Sequence, residues 1–194
     1  MLPGNEKPLN ANQKSYVRLH ALIGQDTVIR VERKRLDKFG MDGFVVGLSD
    51  NLLLLHLIHG NSLHLDGYRA VRLKDITEWR IDDSFIPRAL RLLGRAPIVP
   101  HDVPLDNWPG LVVWVLNNYD LIHIEREKEL PDRLYIGKLG TIKKQSLMLR
   151  EIDTDAVWDD EPNKHSWRSI TQVGFGDGYT GALAALSRSL PELS

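Results

Sequence analysis

The sequence contains no cysteine, so disulfide bonds, thiol nucleophiles and thiolate metal ligands are excluded. It also lacks an apolar run of membrane-spanning length, because the longest, from Leu111 to Leu116, is six residues. The segment from Met1 to Gln13 is polar and has neither the basic nor the apolar region of a secretory signal. These absences predict a cytoplasmic protein without a membrane segment.

A large excess of charge of either sign is absent. The formal net charge is −1 at pH 7, which does not by itself predict a nucleic-acid partner. The charge is unevenly divided, however. Residues 1–98 hold 15 Lys and Arg against 11 Asp and Glu, giving +4, and residues 99–194 hold 10 against 15, giving −5. The two parts could therefore attract each other, within one chain or head to tail between chains.

Known catalytic motifs are absent as well. The chain has no Gly-x-Ser-x-Gly nucleophile elbow, no His-Glu-x-x-His zinc motif and no Walker-type phosphate loop. No pair of acidic residues has a spacing that indicates a shared catalytic site. We therefore predict that the protein is not an enzyme and that it has no catalytic residue, cofactor, metal ion or small-molecule substrate.

What the chain does contain is a copy of itself. Asn51–Phe85 aligns without a gap on Gln145–Tyr179, at a constant offset of 94 residues. The identical positions are Leu53/Leu147, Leu55/Leu149, Ile58/Ile152, Asp66/Asp160, Ile76/Ile170, Thr77/Thr171 and Asp83/Asp177. Upstream, Ile29–Arg33 aligns with Ile122–Arg126 at an offset of 93 residues. Six further matched pairs keep apolar character, and the alignment therefore predicts two related domains in tandem: Leu54/Met148, Leu63/Val157, Leu73/Trp167, Trp79/Val173, Ile81/Phe175 and Phe85/Tyr179.

The predicted domains are separated by a proline-rich segment. We place the first domain at residues 10–94 and the second at residues 105–190. Between them, residues 95–104 contain Pro97, Pro100 and Pro104, which favour a stiff, extended linker. Each domain has about 90 residues, a size at which a domain folds around its own apolar core.

Short apolar segments bounded by turn residues predict five strands in each domain. In the first domain they are Val28–Arg33, Gly43–Leu48, Leu52–Ile58, Tyr68–Leu73 and Ile76–Ile81. In the second they are Leu121–Arg126, Leu134–Leu139, Ser146–Ile152, His165–Arg168 and Ile170–Phe175. The connections are too short for parallel crossovers, so we expect an antiparallel meander that bends into a closed barrel.

Helices are predicted on both sides of each strand set. Tyr16, Leu19 and Ile23 have helical spacing before the first set. Leu111–Val115 has it before the second, where the β-branched residues also allow a strand. Phe85–Leu93 and Tyr179–Leu190 follow the last strands as closing helices. The expected fold class is therefore mainly β with flanking helices (α+β).

A helix followed by five bent strands is similar to the layout of Sm-like and SH3-like small barrels, including bacterial Sm-like proteins. Asp42–Asp50 resembles the first half of an Sm signature, and the likeness covers about two strands of each domain. The resemblance implies two tandem five-stranded Sm-like or SH3-like barrels, and it implies RNA as a partner. The second Sm motif, of Ile-Arg-Gly type, is missing, because Val71–Leu73 and His165–Trp167 stand in its place.

One dense basic stretch supports the RNA alternative. It consists of Arg30, Arg33, Lys34, Arg35 and Lys38, and cations on a barrel edge attract phosphates. Its counterpart in the second domain contains glutamates instead, so this hypothesis places RNA binding on the first domain alone.

Three other patterns were weighed and are interpreted as structural. His56, His59 and His64 resemble a metal cluster only in their spacing, and we expect histidines at the rim of the sheet. Asp153–Glu161 is predicted to be an acidic turn. Gly176–Gly181 has the spacing of a phosphate-binding fingerprint, but the chain is too short after it for the second parallel strand, and we predict a strand-to-helix turn.

The function predicted from these patterns is a non-enzymatic interaction or scaffold module. Sheets this small expose their edge strands, which pair readily with other strands. We therefore expect self-association or a protein partner, through the sheet edges or the oppositely charged parts of the chain. RNA binding through the basic stretch is the alternative.

Overall fold

The computed structural model describes residues 11–59 and 62–189, and this part of the chain contains four helices and ten strands. The helices are α1 (Ala11–His20), α2 (Ile86–Leu92), α3 (Trp108–Asn118) and α4 (Gly178–Ser189). The first strand set is β1 (Val28–Glu32), β2 (Met41–Leu48), β3 (Leu52–His59), β4 (His64–Arg72) and β5 (Glu78–Ile81). The second strand set is β6 (Ile122–Glu125), β7 (Leu134–Lys143), β8 (Ser146–Glu151), β9 (Asn163–Ser166) and β10 (Gln172–Phe175).

All ten strands form one antiparallel sheet. Its order is β5-β1-β2-β3-β4-β10-β6-β7-β8-β9, so the two strand sets lie side by side and are joined by pairing between β4 and β10. No helix in the described ranges is long and apolar enough to cross a membrane.

The prediction of two closed five-stranded barrels is wrong. Among the described strands, β5 pairs with β1 alone, while β4 uses its second edge to pair with β10. Neither strand set therefore closes on itself. A small sheet has two edges with unpaired backbone groups, and pairing with a neighbouring set satisfies an edge as well as closure does. The described part of the chain is mostly β, with four helices packed on one open sheet.

The two strand sets have the same spatial order in the sheet. It is β5-β1-β2-β3-β4 in the first set and β10-β6-β7-β8-β9 in the second. Both contain a register shift at the same place, between Val45 and Gly47 in one and between Leu139 and Thr141 in the other. A bulge of this kind bends a strand and increases its local twist. The two strand sets that contain the aligned segments therefore share this backbone detail at equivalent positions.

The apolar residues of the sheet are buried on both of its faces. The side chains of Leu52, Leu53, Leu54 and Leu55 point alternately to opposite faces, and all four are buried. One face of the first strand set packs against α1 through Leu19. The other face continues through β10 and β6 into the second set and is covered by α3. The third buried cluster packs α4 against the second set.

The segment between the two strand sets is not free of the sheet. The Tyr68 hydroxyl donates to the Ile98 carbonyl at 3.2 Å, and the Ile98 amide donates to His56 Nδ1 at 3.2 Å. Asn107 caps α3 by accepting a hydrogen bond from the Gly110 amide at 2.9 Å, so the helical alternative for this region is the correct one. The predicted domain boundaries stay predictions, and residues 10 and 190 at their outer ends lie outside the described residues.

Candidate functional site

The contact between the two strand sets, here called the inner junction, is an edge-to-edge strand pairing. Four residues of β4 pair with four residues of β10: Tyr68 with Phe175, Arg69 with Gly174, Ala70 with Val173 and Val71 with Gln172. On one face the rings of Tyr68 and Phe175 stack with centroids 5.2 Å apart. The pairing thus joins backbone hydrogen bonds to buried side-chain contact, the combination that makes an edge pairing stable.

A buried ion pair lies on the other face of the inner junction. Arg33, 1% exposed, comes from the loop after β1, and Glu127 comes from the loop after β6. The two guanidinium Nη atoms donate to the two carboxylate oxygens, each at 2.7 Å, and Nη2 also donates to Gln172 Oε1 at 2.7 Å. This bidentate geometry is the strongest form of an arginine–carboxylate contact. It fixes the loop of one strand set against the other.

A second polar group extends this contact along β4. Arg69 Nη1 donates to Glu125 Oε1 and to His123 Nδ1, both at 3.2 Å. Burial, aided by the charge of Arg69, lowers the pKa of His123 to about 3, so its ring is neutral at neutral pH. Burial raises the pKa of Glu125. Because Nδ1 accepts from Arg69, Nε2 carries the proton and points to Asp177 Oδ2 at 3.5 Å.

Two further polar contacts lie at the ends of the inner junction. Lys128 Nζ lies 2.9 Å from Asp75 Oδ1. The Gly178 amide, at the start of α4, donates to Asp66 Oδ1 at 2.9 Å. The first strand set therefore contacts the second through its loops as well as through β4.

The two outer strands of the described sheet, β5 and β9, each have one edge without a strand partner. Along a strand of an antiparallel pair, successive backbone amides point alternately toward the paired strand and away from it. One observed hydrogen bond therefore shows which amides of an edge strand face its partner and which face the open side. The Asp82 amide donates to the Val28 carbonyl, which turns the amides of Trp79 and Ile81 toward the open side of β5. In the same way, the Trp167 amide donates to Gln145, which turns the Lys164 amide toward the open side of β9.

A groove of about 720 Å³ runs beside the open edge of β5, between that strand and α1. Tyr16, Leu19 and Trp79 are among the residues that line it. At the inner junction, the loop between β2 and β3 contacts the chain just before α3. There Ser49 Oγ donates to the Leu105 carbonyl at 2.6 Å, and Asn51 Nδ2 donates to the Asp106 carbonyl at 2.8 Å.

The predicted basic stretch does not form one continuous cationic surface. Arg33 is buried in the inner junction, and Arg30 lies 2.7 Å from Asp42. Lys34, in the loop after β1, forms an ion pair at 2.7 Å with Glu78 of the edge strand β5. Arg35 and Lys38 are exposed, and no ion pair involves them within the described residues. RNA binding by this stretch stays a prediction.

The three histidines considered as a cluster have separate surroundings. His56 is buried, its ring stacks on Tyr68 at 4.6 Å, and burial lowers its pKa. His59 Nδ1 is bonded to the Ser62 hydroxyl at 3.1 Å, and His64 contacts Arg95. Within residues 11–59 and 62–189, no group of three or more His, Asp or Glu side chains is arranged to hold a metal ion.

The glycine-rich segment before α4 already uses the amides that a phosphate would need. Gly178 N donates to Asp66, and Thr180 N donates to Asp177 Oδ1 at 2.9 Å. The acidic segment is likewise organised by a local turn, in which Asp153 Oδ1 accepts hydrogen bonds from the amides of Asp155 and Val157 at 2.9 Å. Both segments have the geometry of structural turns.

The residues that form the inner junction were missed from the sequence. Arg69, Glu125, Glu127 and Gln172 look like ordinary polar residues of strands and turns, and their partners lie far away in the chain. One weak signal was present, since Asp66 and Asp160 are identical in the two copies although most conserved pairs are apolar.

No family model, curated protein or solved structure matches this chain.

Proposed function

We propose that this protein is a non-enzymatic interaction module that associates with copies of itself through the open edges of its sheet. The support comes from the inner junction. Strand β9 occupies the same place in the second set that β4 occupies in the first, and β5 occupies the place of β10. Each chain therefore carries, at its two open edges, the two kinds of strand that already pair inside it.

We call the proposed pairing between β9 of one copy and β5 of the next the outer junction. The sequence offset of 94 residues gives its register from that of the inner junction. Ala70 opposite Val173 becomes Lys164 of one copy opposite Trp79 of the next, and His165 falls opposite Glu78. The amides of Lys164 and Trp79 both face their open edges, so the paired positions meet the geometry of an antiparallel ladder.

Exposed apolar side chains on and after β5 also support association at this edge. Ile81 is 48% exposed, while Phe175, its counterpart at the inner junction, is fully buried against Tyr68. Phe85 and Leu92 follow closely in the chain and are also largely exposed. An exposed edge strand next to exposed apolar side chains is a surface that pairs with another strand.

Sedimentation velocity over a wide concentration range tests the proposal. The wild-type mass should rise with concentration. Proline at position 81 or 164 removes an outward amide without touching the inward ladder, so Ile81→Pro and Lys164→Pro should each weaken association about tenfold. Ile81→Ala and Lys164→Ala keep the amide and are the matched controls. A monomer at every concentration overturns the proposal.

RNA binding is a second candidate, supported by a different surface from the basic stretch. A pocket of about 690 Å³ at the inner junction is lined by four cations. The cations are Arg72, Lys74, Lys128 and Arg168, and they outnumber the two aspartates of the lining, Asp50 and Asp106. Two of these cations, Lys74 and Arg168, are exposed, and no ion pair involves them among the described residues. Such a cationic pocket attracts phosphates.

Fluorescence anisotropy with labelled single-stranded RNA separates the two cationic surfaces. If the pocket binds RNA, Lys74→Glu with Arg168→Glu should abolish binding, while Arg35→Glu with Lys38→Glu should preserve it. The opposite pattern would favour the basic stretch. No binding at low salt would remove the RNA candidate.

A further inference from the structure

The hydrogen-bonded group of Arg33, Glu127 and Gln172 at the inner junction is here called the lock. The equivalent residues at the open edges carry different charges. In the lock, Arg33 holds Glu127 and Gln172. One repeat along the chain, at offsets of 93, 93 and 94 residues, the counterparts in the same order are Arg126, Lys34 and Glu78. An arginine thus remains at the first position, while the glutamate has become a lysine and the glutamine a glutamate.

The backbone around these counterparts is the same in both strand sets. The carbonyl oxygens of Arg33 and Arg126 each accept hydrogen bonds from the amides three and four residues later. The amides of Lys34 and Glu127 each donate to a threonine hydroxyl at 3.2 Å. The side chains at the open edges therefore start from the same positions as those of the lock.

Within one chain, the counterparts have local partners. Arg126 Nε donates to Glu129 Oε2 at 3.0 Å. Lys34 donates to Glu78 at 2.7 Å, and hydrogen bonds to Glu78 and then Glu32 raise the pKa of Lys34. These groups lie at or near the surface, so exchanging partners requires no rearrangement of the core.

We propose that the outer junction is a charge-mismatched copy of the inner junction, in which Arg126 of one copy contacts Glu78 of the next while Lys34 occupies the position of Glu127, and that this mismatch keeps assembly reversible. The inference rests on the proposed self-association and names the contact that tunes it. The three counterparts are two cations and one carboxylate, with Glu32 a further 3.1 Å partner of Lys34, whereas the lock has one cation, one carboxylate and a neutral amide.

The physical reason is the cost of removing charges from water. A buried guanidinium is tolerated when a carboxylate binds it with two hydrogen bonds, as Glu127 binds Arg33. At the outer junction, Lys34 presents a like charge to Arg126 instead, and Arg126 shares Glu78 with Lys34, whose Nζ already lies 2.7 Å from that carboxylate. Association at the open edges is therefore weaker than the inner junction, and it is open to control by any change that neutralises Lys34.

The test is to build the inner lock at the outer junction. The double variant Lys34→Glu, Glu78→Gln gives the edge of β5 the same side chains as Glu127 and Gln172. Sedimentation equilibrium should show a dissociation constant at least tenfold lower than that of the wild type. Lys34→Gln, which removes the like charge without adding a carboxylate, should give an intermediate gain. Circular dichroism confirms that each variant is folded.

A control variant tests whether the tighter association of the double variant depends on Arg126. Adding Arg126→Gln to the double variant should return the dissociation constant to the wild-type value or above. A double variant that associates no more tightly than an associating wild type overturns the charge-mismatch inference and leaves the proposed function standing. If the wild type and all variants stay monomeric, both are overturned. A monomeric wild type with an associating double variant overturns the proposed self-association of the natural chain, and with it the claim that the mismatch keeps assembly reversible.

Discussion

Arg33 and Glu127 form a buried bidentate ion pair although 94 residues separate them in the chain. The pair joins a loop of the first strand set to a loop of the second, so its loss reports on the inner junction itself. The Arg33 side chain is 1% exposed and the Glu127 side chain 7% exposed, so removing one partner leaves the other largely buried without its counter-charge.

Replacing Glu127 should therefore destabilise the whole chain. Glu127→Ala leaves Arg33 buried without its carboxylate, and we expect the free energy of unfolding to fall by about 3–5 kcal/mol. Urea denaturation measures this loss. Glu129→Ala, which removes the exposed partner of Arg126, is the matched control and should cause little change. Equal effects of the two variants would show that the buried pair does not hold the junction.

Gly174 should tolerate no side chain. It lies opposite Arg69 in the inner junction, and an added Cβ would be 1.9 Å from His123 Nε2. Gly174→Ala should therefore cost about 1–3 kcal/mol of stability by overpacking. Gly181 lies in α4 with no atom within 4 Å of an added Cβ, so Gly181→Ala should stabilise the chain by about 0.5–1 kcal/mol. Thermal and urea unfolding of the two variants should shift in opposite directions.

The sequence located most elements of this fold but not the pairing that organises it. The apolar run Leu52–Leu55 predicts a strand that is buried on both faces of a sheet. The sequence of the neighbouring strand β4 would look the same whether its second edge closed a barrel within the first strand set or paired with a strand of the second set. The partner of β4 is β10, about 100 residues away, and no local pattern encodes so distant a choice.

The candidate site was hidden for a related reason. Arg33 belongs to a run of charged residues that resembles an exposed surface, and its burial depends on Glu127 in the other strand set. Thr77 and Thr171 illustrate the reverse case. They were recognised as repeated residues, and both hydroxyls donate to the carbonyl of the equivalent glutamate, Glu32 and Glu125, at 3.0 and 3.1 Å. Repetition is visible in a sequence, whereas contact between the repeated units is not.

Acid should weaken the chain through His123. Its pKa is about 3 in the folded chain and about 6.5 when exposed, so the unfolded chain binds the proton first as the pH falls. The stability that neutral His123 contributes is present above about pH 6.5 and is lost toward pH 3, amounting to roughly 2 kcal/mol between about pH 6 and pH 4. The raised pKa of Glu125 acts in the opposite direction and offsets part of this loss.

The comparison of wild type with His123→Gln isolates this contribution. Urea unfolding at several pH values should show a smaller loss of stability in the variant between about pH 6 and pH 4. The exposed His20 provides the matched control, because His20→Gln should leave the wild-type dependence unchanged. Parallel curves for all three proteins would contradict a buried neutral His123.

Self-association should weaken as salt is added. The open strand β5 belongs to the part of the chain with charge +4, and β9 belongs to the part with charge −5, so head-to-tail contact brings opposite charges together. Screening shortens the reach of this attraction from about 10 Å at 0.1 M salt to about 3 Å at 1 M. Arg35→Glu with Lys38→Glu changes the first part by −4, from +4 to 0, and should remove most of the salt dependence measured by sedimentation. Association that is equally salt-sensitive in this variant would assign the effect to local pairs at the strand edges instead.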